Sequence, residues 1–163
     1  MRPYYARSHM SSTDPNRLIA WDRELRAVHH RLRDSLQIAR DAVDDAGPLS
    51  ADLRLFCTGF CAALDGHHRR EDDTMFPELL AAHPELRDVL SQLTRDHHML
   101  SHLLGELQRA VDAGHDAATL HQHLDGIEAV METHFRYEEK RLLAPLADLV
   151  VEHEPRAMLG PLA

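Results

Sequence analysis

The sequence predicts an all-α fold, an up-down-up-down four-helix bundle, on three observations. No segment of the 163 residues alternates apolar and polar side chains with a period of two over a useful length, so nothing supports a sheet. Four long stretches instead repeat apolar residues at helical spacing. The joins between them, near Gly47–Ser50, His83–Pro84 and Gly114–Asp116, are short, which forces consecutive helices to run antiparallel.

Each element has its own signals. Residues 1–13 read as a disordered N-terminal segment, in which Ser8-His9-Met10 resembles a cloning junction with Met10 as the natural start. Asp14 followed by Pro15 suits an N-cap and first turn, and the first helix should run to the Gly47-Pro48 stop. Ser50 caps a second helix that places Phe56, Phe60, Ala63, His67, Glu71 and Thr74 on one face. The Phe76-Pro77 step should bend or end it near Leu80. Pro84 starts a third helix reaching Gly114, and Asp116 caps a fourth reaching about Ala144 or past Pro145. The bundle thus occupies residues 14–151, and residues 152–163, rich in helix breakers, are expected to form an irregular tail.

Composition narrows the function classes. The length fits one domain with a sizeable core, and an apolar content of 44% is ordinary. A formal charge of −9 argues against nucleic acid, which needs a basic face. With no apolar run of membrane-spanning length and no recognisable signal peptide, the expected location is the cytoplasm, away from any membrane. Two cysteines, Cys57 and Cys61, are too few for a disulfide framework. Phe56 and Phe60 point inward better than either, so both cysteines read as flank packing residues. Fourteen histidines are the outlier, since histidine is a mediocre helix former.

The histidines fall into a repeated pattern. Residues four apart on a helix lie about 40° apart around its axis, so His67 and Glu71 can reach a common point. The spacing returns at His134 and Glu138, and each copy is preceded by a histidine in an apolar setting. His29 has leucines at −4, +3 and +7 (Leu25, Leu32, Leu36), and His97 has Leu93, Leu100 and Leu104 at the same offsets. The separations are 38 residues from His29 to His67 and 37 from His97 to His134. His30 is turned about 100° from His29, and His98 and His102 lack the apolar frame of His97. A single inward histidine is an ordinary core residue, but four helices converging is another matter. Two ionised glutamates facing each other across one core are strongly unfavourable without compensation, which divalent cations provide. At least six nitrogen and oxygen donors exceed what tetrahedral structural zinc uses, and two glutamates can each bridge two ions. A dinuclear centre follows, with iron the leading candidate and manganese or zinc the alternatives.

These residues resemble the hemerythrin family, in particular the bacterial branch of HHE cation-binding proteins. The resemblance covers about Asp14 to Leu149. It rests on His29, on His67-x-x-x-Glu71 within His-His-x-x-Glu-Asp-x-x-Met-Phe-Pro, on Asp96-His97-x-x-Leu100 and on His134-Phe135-x-x-Glu138-Glu139. The resemblance implies two iron ions joined by an oxo or hydroxo bridge, with His29, His67, His97 and His134 as terminal ligands and Glu71 and Glu138 bridging. Oxygen-carrying members place a further histidine one turn after the third-helix ligand, where this chain has Ser101. Four histidines would leave two positions open on a pair of octahedral irons, and a fifth would leave one. His68 is the best candidate for the fifth, about 60° from Glu71 and used as a ligand in some relatives; the alternative is a flank histidine bonded to solvent or a carboxylate. Tyr137 is a second candidate, as a hydrogen-bond donor or a ligand. Asp72 and Glu139 turn away from the centre but can orient the imidazoles.

The expected function is that of a non-haem di-iron protein that binds or reacts with dioxygen, hydrogen peroxide or nitric oxide at an open iron site. A catalase- or peroxidase-like enzyme consuming peroxide or nitric oxide is the first alternative. An iron- or oxygen-sensing interaction module is the second.

Overall fold

The computed structural model describes residues 18–47 and 50–163, and among them every regular element is helical. The expected N-terminal segment 1–13, the Asp14-Pro15 cap and Pro48 lie outside the described residues. Helix α1 spans Trp21–Ala46. Leu18, Ile19 and Ala20 precede it in non-helical conformation, so α1 begins at Trp21. The Ala20 carbonyl accepts from the amides of both Arg23 and Glu24 at 3.0 Å, and Asp22 and Glu24 meet the positive end of the helix dipole. Gly47, at φ 74°, ends the helix in the left-handed region that glycine tolerates.

Helix α2 spans Ala51–Arg70 and is capped as expected, the Ser50 hydroxyl accepting from the Leu53 amide at 3.0 Å. The helical path is distorted just before Pro77 and ends at Ala82, close to the expected Leu80. A π turn, Glu71–Met75, leads directly into α3, Phe76–Ala82. Pro77 has no amide hydrogen and its ring crowds the carbonyl four residues back. The π turn relieves this by widening the backbone, the Phe76 amide bonding to the Glu71 carbonyl five residues earlier. After a 3-10 turn at Pro84–Leu86, α4 spans Arg87–Asp112 and gives way to Gly114 at φ 69°. Asp116 caps α5, Ala117–Ala147, by accepting from the Thr119 amide at 2.9 Å, and the helix continues through Pro145.

The tail expected to be irregular carries a short helix, α6, Pro155–Leu159, with Met158 and Leu159 fully buried. Those two apolar side chains offset the breakers around them by docking on α2, the π turn and α1.

The four long helices form a ring: α1 packs on α2 and α5, and α4 packs on α5 and α2. Leu25, Leu32, Leu36, Leu53, Leu64, Leu93, Leu100, Leu107, Leu124 and Ile127 fill the space between them. One register differs from expectation. Phe56 is 40% exposed whereas Cys57 is fully buried, because the inward stripe of α2 is Leu53, Cys57, Phe60 and Leu64. Phe60→Ala should therefore cost about 3–5 kcal/mol in urea unfolding and Phe56→Ser under about 0.5 kcal/mol. Equal losses would contradict this register. Among the described residues no helix is long and apolar enough to cross a membrane.

Candidate metal centre

The buried polar or charged side chains of the described residues are His29, His67, His68, Glu71, His97, His134 and Glu138. They form two groups, His68–Glu71–His97–His134 and His29–His67–Glu71–Glu138, whose donor atoms all lie within 4.8 Å of one another. Glu71 belongs to both. Its Oε1 is 2.9 Å from His67 Nε2 and its Oε2 is 3.2 Å from His97 Nε2, one oxygen facing each group. Glu138 Oε2 likewise lies 3.1 Å from His29 Nε2 and 3.8 Å from His134 Nε2.

These donors fit a cation better than they fit each other. His29 Nε2, His67 Nε2, His68 Nε2 and both oxygens of Glu71 and Glu138 have no hydrogen-bond partner, despite separations near 3 Å. Two donors at right angles, each about 2.1 Å from one ion, are themselves about 3 Å apart. Buried polar atoms left without partners are costly, so their convergence on shared points calls for a positive ion there.

The outer nitrogens of His29, His67, His97 and His134 are engaged. His29 Nδ1 is 2.8 Å from Glu139 Oε1, His97 Nδ1 is 2.9 Å from Asp72 Oδ1, His134 Nδ1 is 3.4 Å from Asp96 Oδ2, and His67 Nδ1 is 2.8 Å from the Leu159 carbonyl. Carboxylates and carbonyls only accept, so each Nδ1 donates and each Nε2 is directed inward. His97 Nε2 and His134 Nε2 then face each other at 3.2 Å, a contact that requires either a shared proton or a shared cation. At the start of the π turn, consecutive carboxylates, Glu71 and Asp72, meet the two nitrogens of the same imidazole, His97, and Thr94 donates to Asp72 at 3.0 Å to hold it. Glu138 and Glu139 bracket His29 in the same way.

The charges respond to this crowding. Burial opposes a proton on His29, but the Glu138 and Glu139 carboxylates outweigh it and push the pKa up to about 9. His97 behaves alike, burial losing to Asp72 and Glu71, and rises to about 10. Burial and the neighbouring His97 and His67 hold His68 well below the usual histidine range, and burial also lowers His134. Burial would raise Glu71, yet His67 and His97 hold it well below the usual carboxylate range.

His68 is buried, its ring stacked on His97 at 4.0 Å, with Nε2 unpartnered. The flank alternative, a histidine bonded to solvent or a carboxylate, does not match that environment. Ser101, His98, His102 and His30 are exposed, and Tyr137 is half-buried with the Arg141 guanidinium 5.9 Å from its ring centre. Burial pushes the Cys57 and Cys61 thiols up to about 11 and about 12, so neither is a thiolate at neutral pH. Sequence reasoning gave no role to Asp96, to the Leu159 carbonyl or to Phe135, whose ring stacks on His29 at 3.8 Å. Asp96 adjoins His97 and Phe135 adjoins His134, a proximity that hinted at both. Leu159 had no local signal.

The helical fold and the paired His/Glu groups define a cation-binding helical protein. The chain belongs to the hemerythrin HHE cation binding domain family, which matches residues 22–155. Comparison with curated proteins and comparison with solved structures each gave no match.

Proposed function

We infer that this chain is an up-down-up-down four-helix bundle that holds two iron ions and binds dioxygen, peroxide or nitric oxide at the one position its side chains leave open. The observation that carries the reading is the shared Glu71, with one oxygen toward each donor group. His68, His97 and His134 complete one group, and His29, His67 and Glu138 the other. Two iron ions bound there supply the electrons that a small oxidant takes up. The side chains supply the rest. Five imidazoles make a donor set with little anionic charge, which gives less support to high-valent iron and favours binding or mild peroxide chemistry over oxygenation. Phe135, stacked on His29 and within 6.5 Å of the His67, His68 and His134 ring centres, walls the site with hydrocarbon and limits water.

The inclusion of His68 favours binding over turnover, because with Glu138 bridging as well as Glu71 it would reduce the open positions from two to one. Purified chain reconstituted with ferrous iron without air should change its near-ultraviolet and visible absorption on adding dioxygen, nitric oxide or peroxide. An unchanged spectrum with all three defeats the proposal. Steady oxygen evolution from peroxide, lost in His67→Ala, would instead establish the catalase-like alternative.

A further inference from the structure

The two halves of the site are built from matching parts, and the match fails at one place. His29 and His97 correspond in the repeat, and each is bracketed by an adjacent pair of acids. His67 and His134 correspond as well, but their outer nitrogens are served differently. His134 Nδ1 faces Asp96, the residue just before His97. The equivalent residue before His29 is Val28, which is fully buried and has nothing to accept a hydrogen bond. The partner of His67 Nδ1 comes instead from the far end of the chain, the carbonyl of Leu159 at 2.8 Å.

Several features hold that carbonyl in place. Met158 and Leu159 are buried. Gly160 has φ 91°, and a Cβ on it would lie 2.7 Å from His67 Cα and 2.8 Å from His67 N. Only glycine permits this approach. Pro161 lies against Gly66, its Cδ 3.1 Å from where a Cβ on Gly66 would stand. The Arg31 guanidinium donates to the Leu162 carbonyl at 2.6 Å.

We propose that the segment Pro155–Ala163 is a strap that positions His67, its Leu159 carbonyl replacing the carboxylate that the first half of the repeat lacks and fixing the tautomer that turns Nε2 toward Glu71. Leu159 is thus a positioning residue acting through His67. A carbonyl is neutral, so it polarises His67 less than an acid polarises His29, His97 and His134. Through His67, which belongs only to the His29–His67–Glu71–Glu138 group, the strap makes the two groups unequal and the strapped one sensitive to displacement of a surface segment. The inference rests on the metal-site reading, though the hydrogen bond itself exists without metal.

The test is Gly160→Ala in the full chain, whose Cβ must push the strap off His67. Nitrogen-15 NMR of the histidine rings in metal-free protein should show a hydrogen-bonded, slowly exchanging Nδ1 proton on His67 in the wild type and a fast-exchanging one in Gly160→Ala, with His29, His97 and His134 unmoved. Titration with zinc ions alone should show one binding step weakened on the order of 10–100-fold and the other unchanged. An unmoved His67 overturns the proposal, as does a shift of all four histidines together, which would mean general loosening. If Gly160→Ala does not fold, Arg31→Ala releases the strap from the surface and should speed exchange of the His67 Nδ1 proton; no change there overturns it equally. Wild-type chain that takes up no zinc defeats the metal reading and leaves the ring spectra to decide the strap.

Discussion

Glu71→Gln is expected to empty both halves of the site, bringing the metal content of the purified chain close to zero by elemental analysis. Glu71 is the residue common to both donor groups, with one oxygen turned to each. Glutamine keeps the shape but removes the charge and turns one of the two acceptors into a donor, which repels a cation. His68→Ala touches one group only and should lower the content by no more than one ion per chain. The contrast between the variants separates a shared carboxylate from two independent sites. A Glu71→Gln chain that keeps its full metal complement would show that Glu71 bridges nothing.

The second large effect is on pH dependence, which metal should reverse on the alkaline side. In the metal-free chain His29 and His97 have folded pKa values raised to about 9 and about 10, above the ordinary value of 6.5. Groups of that kind give stability that is complete below pH 6.5 and lost as pH rises through 9 and 10. His68 and His134 have lowered values, so their contribution is present above 6.5 and lost as pH falls. Glu71, also lowered, adds to the acid-side loss below its ordinary value of 4.5. Metal-free protein should therefore be most stable near pH 6.5, with melting temperature falling on both sides. A divalent cation competes with the protons on His29 and His97, so its binding near pH 8 should release protons and tighten as pH rises. At a cation concentration about 1,000 times its Kd the gain is about 4 kcal/mol, and chelation should remove it. Calorimetry in buffers of different ionisation enthalpy counts the protons released. Zero release at pH 8 would contradict the assignment of these imidazoles as protonated ligands-in-waiting.

The long helices were legible because their information is local. Ser50 and Asp116 are caps that act within three residues, and the leucine frames of His29 and His97 repeat at a spacing set by backbone geometry alone. The same arithmetic picked out His29, His67, Glu71, His97, His134 and Glu138 as inward. Local reasoning failed where neighbours decide. Phe56 is larger and more apolar than Cys57, yet α2 turns Cys57 inward because the rotation of a helix about its axis is set by everything it packs against. The Phe76-Pro77 step was legible as a bend or end, but it was not legible that the bend would take the form of a π turn, which keeps Met75, Phe76 and Leu79 buried.

By itself the chain's order of residues determined the helical class, the inward histidines and the spacing that lets His and Glu share a point, since each follows from periodicity within one helix. Tertiary structure alone decided which imidazole on another helix Asp72, Asp96 and Glu139 each serve, and that the last residues return to His67. Contacts across 25 to 110 positions of chain depend on how helices meet, and no local pattern encodes them.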